Sequence, residues 1–190
     1  GFWGLRTSMR LHQSAEKLRS DLVYARRAAM LLSRSPGDTW VRGVGIDLGE
    51  MDDGDNALNY SVFRWCSDDE EYEDYEDVVV EFSTNISPGS YTANYIADCT
   101  GQGFVKLKGK NEVVVSTSGL EYTDEINAGG EIRYILFESI RGIPHFFVLT
   151  GADVSLASPT SLVELAFDAG SNRKVVVAID NFSEIYTYAP

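Results

Sequence analysis

Apolar residues at positions 11, 15, 18, 22, 25, 29 and 32 recur at alternating steps of four and three, drawing one stripe along an α-helix over residues 5–34. That span contains neither proline nor glycine, and Pro36-Gly37 stops it, with Arg34 in the last turn where a cation suits the helix dipole. At about 1.5 Å per residue the helix is a rod of roughly 40 Å. Its two halves differ. Up to Asp21 the stripe is narrow and flanked by Arg10, His12, Gln13, Glu16, Lys17 and Arg19. From Leu22 onward Val23, Tyr24, Ala28, Met30 and Leu31 widen it, and only Arg26 and Arg27 are charged before position 32. A narrow stripe suits one thin contact and a broad one suits burial against a large body. The expectation is a helix docked by its C-terminal half, with Leu22, Ala25, Ala29 and Leu32 buried. Its N-terminal half would project and offer Leu11, Ala15 and Leu18 as a face for a partner helix.

Beyond Pro36 the period changes from 3.6 to 2. Strands are predicted over 41–48, 59–65, 78–83, 104–108, 112–117, 132–138, 145–149, 162–168, 174–180 and 184–188. All are short, rich in Val, Ile, Phe and Tyr, and separated by Gly, Asn, Asp, Ser or Pro. Segments 162–168 and 174–180 form a hairpin across the five-residue loop 169–173. One long helix followed by many antiparallel strands is an α+β layout. The helix (residues 1–35) lies on an antiparallel sheet or sandwich (residues 36–190) within a single structural domain. Two polar stretches read as loops: 47–56, a hairpin tip, and 66–77. The latter has eight carboxylates in the ten residues from Asp68, and their repulsion is expected to keep it extended and mobile.

Composition is ordinary for a globular chain of 190 residues, but the net charge of −13 is unevenly placed. Residues 1–35 sum to +5 and residues 36–190 to −18. An acidic body repels phosphate, so nucleic acid is excluded as a partner class. The basic helix suits anionic lipid or an acidic protein surface. No secretory signal or transmembrane run occurs within this numbering. The opening Gly1-Phe2-Trp3-Gly4 reads either as a cloning scar or as the end of a longer apolar segment. Cys66 and Cys99 are the two cysteines, and the residues alone allow either one disulfide or two buried thiols.

Chemistry-bearing patterns are few. Asp52, Asp53 and Asp55 around Gly54 are weak candidates for calcium, without the spacing or the distal glutamate of an EF-hand, and a solvated turn is the preferred reading. His12 lies on the helix and His145 in a strand beside Phe146-Phe147. There is no Gly-x-Ser-x-Gly elbow, no phosphate loop and no Gly-x-Gly-x-x-Gly. The expectation is a non-enzyme without a cofactor.

The run Ser14-Ala15-Glu16-Lys17-Leu18-Arg19-Ser20-Asp21-Leu22-Val23-Tyr24-Ala25-Arg26-Arg27-Ala28-Ala29 resembles the helix of type IV pilin-like minor pseudopilins, of the type II secretion H and pilus-biogenesis T kinds. Gly43-Val44-Gly45-Ile46 followed by Tyr60-Ser61-Val62-Phe63 is similar to the same family. So is Ile135-Leu136-Phe137 leading into Arg141-Gly142-Ile143-Pro144. The closing hairpin over 174–188 also resembles it, with Asn181-Phe182-Ser183 where the family usually has a glycine. The resemblance covers about a third of the chain. It implies a structural subunit of a type IV pilus or type II secretion filament, whose partners are other pilin or pseudopilin subunits. It also implies an inner-membrane anchor preceding Gly1 and an extracytoplasmic head. In such an oxidising compartment Cys66 and Cys99 are expected to pair. The basic helix then sits awkwardly with the positive-inside tendency, which a basic leader before the span would outweigh. The alternative class is a secreted β-sandwich module binding calcium or a glycan through the acidic loops. A hydrolase, a distant third, would need Ser, His145 and an acid converging in a cleft.

Overall fold

A computed structural model describes residues 2–31, 40–48, 57–67, 82, 86, 93–110, 113–117, 120–125, 131–150, 153–157, 162–170, 173–180 and 182–190. The chain is α+β. One helix, α1 (Phe2–Leu31), precedes eleven strands among the described residues: β1 (Trp40–Asp47), β2 (Ala57–Ser67), β3 (Gly103–Lys106), β4 (Val113–Ser116), β5 (Glu121–Glu125), β6 (Glu131–Glu138), β7 (Pro144–Thr150), β8 (Asp153–Ala157), β9 (Val163–Asp168), β10 (Lys174–Ile179) and β11 (Ile185–Tyr188). A seven-stranded sheet runs β3-β2-β1-β6-β7-β8, with β4 also pairing to β2. A four-stranded sheet runs β11-β10-β9-β5. The strand pairs are antiparallel, and the predicted hairpin closes as Asp168 opposite Lys174. The predicted strand over 78–83 lies largely outside the described residues. Strands β5 and β8 were not foreseen.

The helix packs on strands of both sheets: β1, β4 and β6 of the larger, β9, β10 and β11 of the smaller. Its buried face meets Val44 and Ile46 of β1, Ile135 and Phe137 of β6, and Val163, Leu165, Val175 and Val177 of the smaller sheet in one apolar core. A second cluster fills the other face of the larger sheet, where Phe63, Trp65, Phe104, Tyr134, Leu136 and Phe147 surround Phe82. Period-2 alternation sorts β2 between the two: Leu58, Tyr60 and Val62 face the helix, Phe63 and Trp65 the aromatic layer. In β6 a register shift between Ile132 and Tyr134 moves the pattern by one residue, so Ile132 and Ile135 face the same core. Central strands buried on both faces read as continuous apolar runs. Gly45 permits this double layer, because a Cβ there would lie 2.7 Å from the Phe63 ring and 2.6 Å from the Ile135 carbonyl.

The expected projection of the helix's N-terminal half is overturned. Leu11 is 3% exposed and Ala15 and Leu18 are 0%, as deeply buried as Leu22, Ala25 and Ala29. They do not form a free partner-binding face; the narrow stripe is covered by the chain's own strands, chiefly because the four-stranded sheet extends the surface on which the helix lies. A thin stripe is enough when two sheets close on it from either side. Leu32 and the expected helix stop at Pro36-Gly37 lie outside the described residues.

Burial on this scale sets the cost of truncation. Leu18→Ala and Leu22→Ala should each destabilise the domain by about 2–5 kcal/mol. Leu18→Glu should unfold it as completely as Leu22→Glu, because either carboxylate enters an apolar core without a partner. Thermal melts of the four variants test this; a Leu18→Glu protein as stable as wild type would contradict it.

Candidate functional site

The first two turns of α1 behave differently from the rest. Leu5 is 66% and Met9 62% exposed. At about 100° per residue, Met9 points roughly 200° away from Leu11, and Leu5 lies one turn before it on the same side. The apolar positions therefore change faces: inward over residues 11–29, outward over 5–9. The inward positions of the opening turns are small or polar, Gly4, Thr7 and Ser8, and the Gly4 carbonyl accepts a hydrogen bond from Arg173 at 3.2 Å. Arg6 and Arg10 are exposed beside the outward pair, giving an apolar strip with basic edges. Sequence periodicity missed it because Leu5 and Met9 fall outside the stripe; the signal was their i, i+4 spacing in antiphase to Leu11.

Two polar clusters hold the helix in place behind this strip. Asp21, 1% exposed, accepts hydrogen bonds from Tyr60 Oη at 2.7 Å and Lys17 Nζ at 2.9 Å, and pairs with Lys110. The Lys110 ammonium also lies 4.7 Å above the Tyr24 ring. Burial by itself would raise the Asp21 carboxyl, but hydrogen bonds from Lys110, Tyr60 and Lys17 outweigh it and hold the group below the usual carboxylate range. Burial and the same carboxylate push the Tyr60 hydroxyl far up, so it remains a donor. Nearby, Ser14 Oγ donates to the Ser116 carbonyl at 2.9 Å and fixes the helix against β4.

The second cluster is the turn between β6 and β7. Ile140 N–H donates to the Ala29 carbonyl at 3.1 Å, so the turn caps a carbonyl near the end of the described helix. Arg26 Nε lies 3.4 Å from the Gly142 carbonyl. Gly142 has φ of 65°, a left-handed conformation that favours glycine, and a Cβ there would press on the Met30 side chain at 2.7 Å. Ile140, a β-branched residue, is held at φ of 71° and half exposed. Beneath the turn, buried Glu138 pairs with Arg141 at 2.5 Å and His145 at 3.5 Å. Burial opposes the charge on Glu138, and His145 and Arg141 prevail, holding its carboxyl low. Ser139 Oγ donates to the Val41 carbonyl. Ser139, His145 and Glu138 thus stand together, but the serine hydroxyl is committed to backbone and the group serves to seat the helix end.

The other predicted site residues separate. Asp52, Asp53 and Asp55 and the acidic run from Asp68 lie outside the described residues. Among the described residues no cluster of three or more His, Cys, Asp or Glu could hold a metal ion. Asp47, shared in the sequence reading by the strand over 41–48 and the loop 47–56, is the last residue of β1, where its carboxylate takes Arg133 at 3.2 Å and the Tyr95 hydroxyl at 2.9 Å. Cys66 and Cys99 form a disulfide with Cα atoms 5.5 Å apart, joining the end of β2 to the segment beside β3. No described helix is long and apolar enough to cross a membrane. No family model, curated protein or solved structure matches the chain.

Two outcomes are expected. The lowered Asp21 carboxyl contributes stability that is present above its ordinary value of 3.8 and is lost as pH falls through its folded-state value. Asp21→Asn should flatten this acid limb in melts between about pH 2 and 5, and Asp21→Ala should cost about 3–5 kcal/mol by stranding Lys110. Replacing both cysteines by alanine opens a 33-residue separation and should cost about 3–4 kcal/mol in the chain-entropy description, read by denaturant titration.

Proposed function

We propose that this chain is a structural subunit of the type IV pilin-like class, a minor pilin or pseudopilin whose helix meets neighbouring subunits in a filament. The observation that carries the reading is the reversal of the helix at residues 5–9, where Leu5 and Met9 face away from the chain's own body. Residues 11–29 anchor the helix in the head, and a helix so anchored presents its opening turns as a rigid handle. An outward apolar strip on it suits another helix. A second support is local. The stretches that resemble the family, around Gly45, Phe63 and Leu136, lie on adjacent strands β1, β2 and β6, and Gly142 of the stretch Arg141-Gly142-Ile143-Pro144 offers its carbonyl to Arg26 of the helix. On this reading the head is extracytoplasmic, consistent with the Cys66–Cys99 disulfide, and the helix leads back towards an inner-membrane anchor.

The test uses the full-length gene product in its own cells. Leu5→Glu and Met9→Glu should leave the stability of the soluble domain within about 1 kcal/mol, as exposed changes do, yet abolish incorporation into a filament. A cysteine at position 5 should crosslink to other pilin-like subunits. The gene should encode an apolar run of about 20 residues before Gly1, preceded by a basic leader. A polar upstream sequence, or normal assembly with glutamate at both positions, would overturn the proposal.

A further inference from the structure

The second half of α1 is apolar on two sides. Leu22, Ala25 and Ala29 are buried in the chain's own core, but the residues that widen the stripe are left outside it. Tyr24 is 41%, Met30 47% and Leu31 83% exposed, and Val23 and Ala28 are only partly covered. A helix that is apolar beyond the width its own body covers has surface for a second contact. This outward face is basic at its edges. Arg19 and Arg27 border Val23, Tyr24 and Ala28, and the Lys110 ammonium stands 4.7 Å over the Tyr24 ring. The acid among them, Glu16, is engaged by Arg19 at 3.3 Å and by the Thr187 hydroxyl at 2.7 Å.

The opposite chemistry stands nearby. Phe182, 83% exposed, sits in the turn between β10 and β11 with Asp180 and Glu184 on either side. The turn is held from within. Asp180 Oδ1 accepts the N–H of Phe182 and that of Glu184, each at 2.9 Å, and the Ser183 N–H donates to the Asp180 carbonyl at 2.9 Å. An aromatic on so fixed a turn loses little freedom on binding, which suits it to be an anchor. Its place follows from two bonds between the smaller sheet and the helix. Arg173, just before β10, binds the Gly4 carbonyl, and Thr187, opposite Val177 in mid-strand, binds Glu16. From Gly4 to Glu16 the helix rises about 18 Å, and from Arg173 to Val177 the strand covers about 13 Å. Helix and β10 therefore run the same way, and the turn after β10 stands beside the helix beyond Glu16, where the outward face begins.

We propose that two copies of this chain pair about a two-fold axis, the Phe182 turn of each packing on the outward face of the other's helix between Arg19 and Leu31. Turn and face belong to one side of the molecule, so a single rotation makes both contacts and closes the pair. Phe182 supplies the apolar anchor. Asp180 and Glu184 meet the arginine edges, which fix the register more than they add affinity. An anionic bilayer or a nucleic acid would suit the arginines but be repelled by the two carboxylates beside the anchor. The charge of the chain agrees. Residues 1–35 sum to +5 and residues 36–190 to −18, so the helix is the segment that complements an acidic head. The face begins about 15 Å along the helix from Met9. Pairing thus leaves the strip at Leu5 and Met9 free and does not rest on the filament reading.

Sedimentation velocity of the intact 190-residue chain, from about 10 μM to about 1 mM, should show a reversible monomer–dimer equilibrium. Phe182→Ala and Arg27→Glu should each weaken it at least about tenfold. Their melting temperatures should match wild type, because both side chains are exposed in the single chain. Adding Glu184→Lys to Arg27→Glu should recover most of the loss, since the reversed charges again face each other across the contact. Leu5→Glu and Met9→Glu should leave the equilibrium as it is. A chain that stays monomeric at about 1 mM, a dimer indifferent to Phe182→Ala, or no recovery in the charge-swapped chain would overturn the pairing. So would oligomers that keep growing with concentration, since the contact would then not close. Loss of the dimer in Leu5→Glu would also overturn it, by placing the contact at the opening turns.

Discussion

The buried face of the helix between Leu11 and Ala29 is the surface on which both sheets close. The larger sheet brings β1, β4 and β6 to it and the smaller brings β9, β10 and β11, while β5 of the smaller sheet also touches β6 of the larger. Burying apolar side chains of both sheets against one helix couples elements that pair little with each other. Alanine at positions 15, 25 and 29 lets the strands approach the helix axis, and leucine at 11, 18 and 22 fills the space between them. Loss of this contact would leave two open sheets, each with one bare apolar face.

Apolar burial is non-directional, so it leaves open where along its axis the helix stops. Directional groups at both sides of the buried face settle that. Asp21 gathers Tyr60, Lys17 and Lys110 at mid-helix. Ser14 binds the Ser116 carbonyl, and the turn from Ser139 to Gly142 receives the helix end. Each is a buried group whose partner exists at one register only, and a slip by one turn would strand a carboxylate or a lysine. The positive φ of Ile140 is tolerated within the same arrangement, where neighbouring backbone bonds hold the turn.

The helix, β1, β2 and β6 are locked by apolar and ionic contacts that persist across neutral pH. The outward strip at Leu5 and Met9 belongs to the same helix whose residues 11–29 are seated in the core.

Much of the architecture was readable from periodicity. The amphipathic stripe in the first 31 residues, the change of period after Pro36 and most of the strands follow from side-chain spacing, because a helix and a strand sort their residues at 3.6 and 2.0. Strand β5 escaped, since Glu-Tyr-Thr-Asp-Glu has the composition of a loop and becomes a strand by pairing with β9. Asp47 lay within the predicted strand over 41–48, but its partner escaped: the ion pair with Arg133 lets an acid end a buried strand. Hydrophobic pattern also determined which face of the helix is apolar, but not how much body lies over it. The breadth of the stripe suggested that Leu11, Ala15 and Leu18 were left for a partner, and the second sheet covers them instead. Sequence by itself therefore determined the elements and their inward faces, which depend on near neighbours along the chain. Tertiary structure decided which faces stay uncovered and which carboxylates find cations, because both depend on residues brought together from about a hundred positions away, such as Ser14 with Ser116 and Asp21 with Lys110.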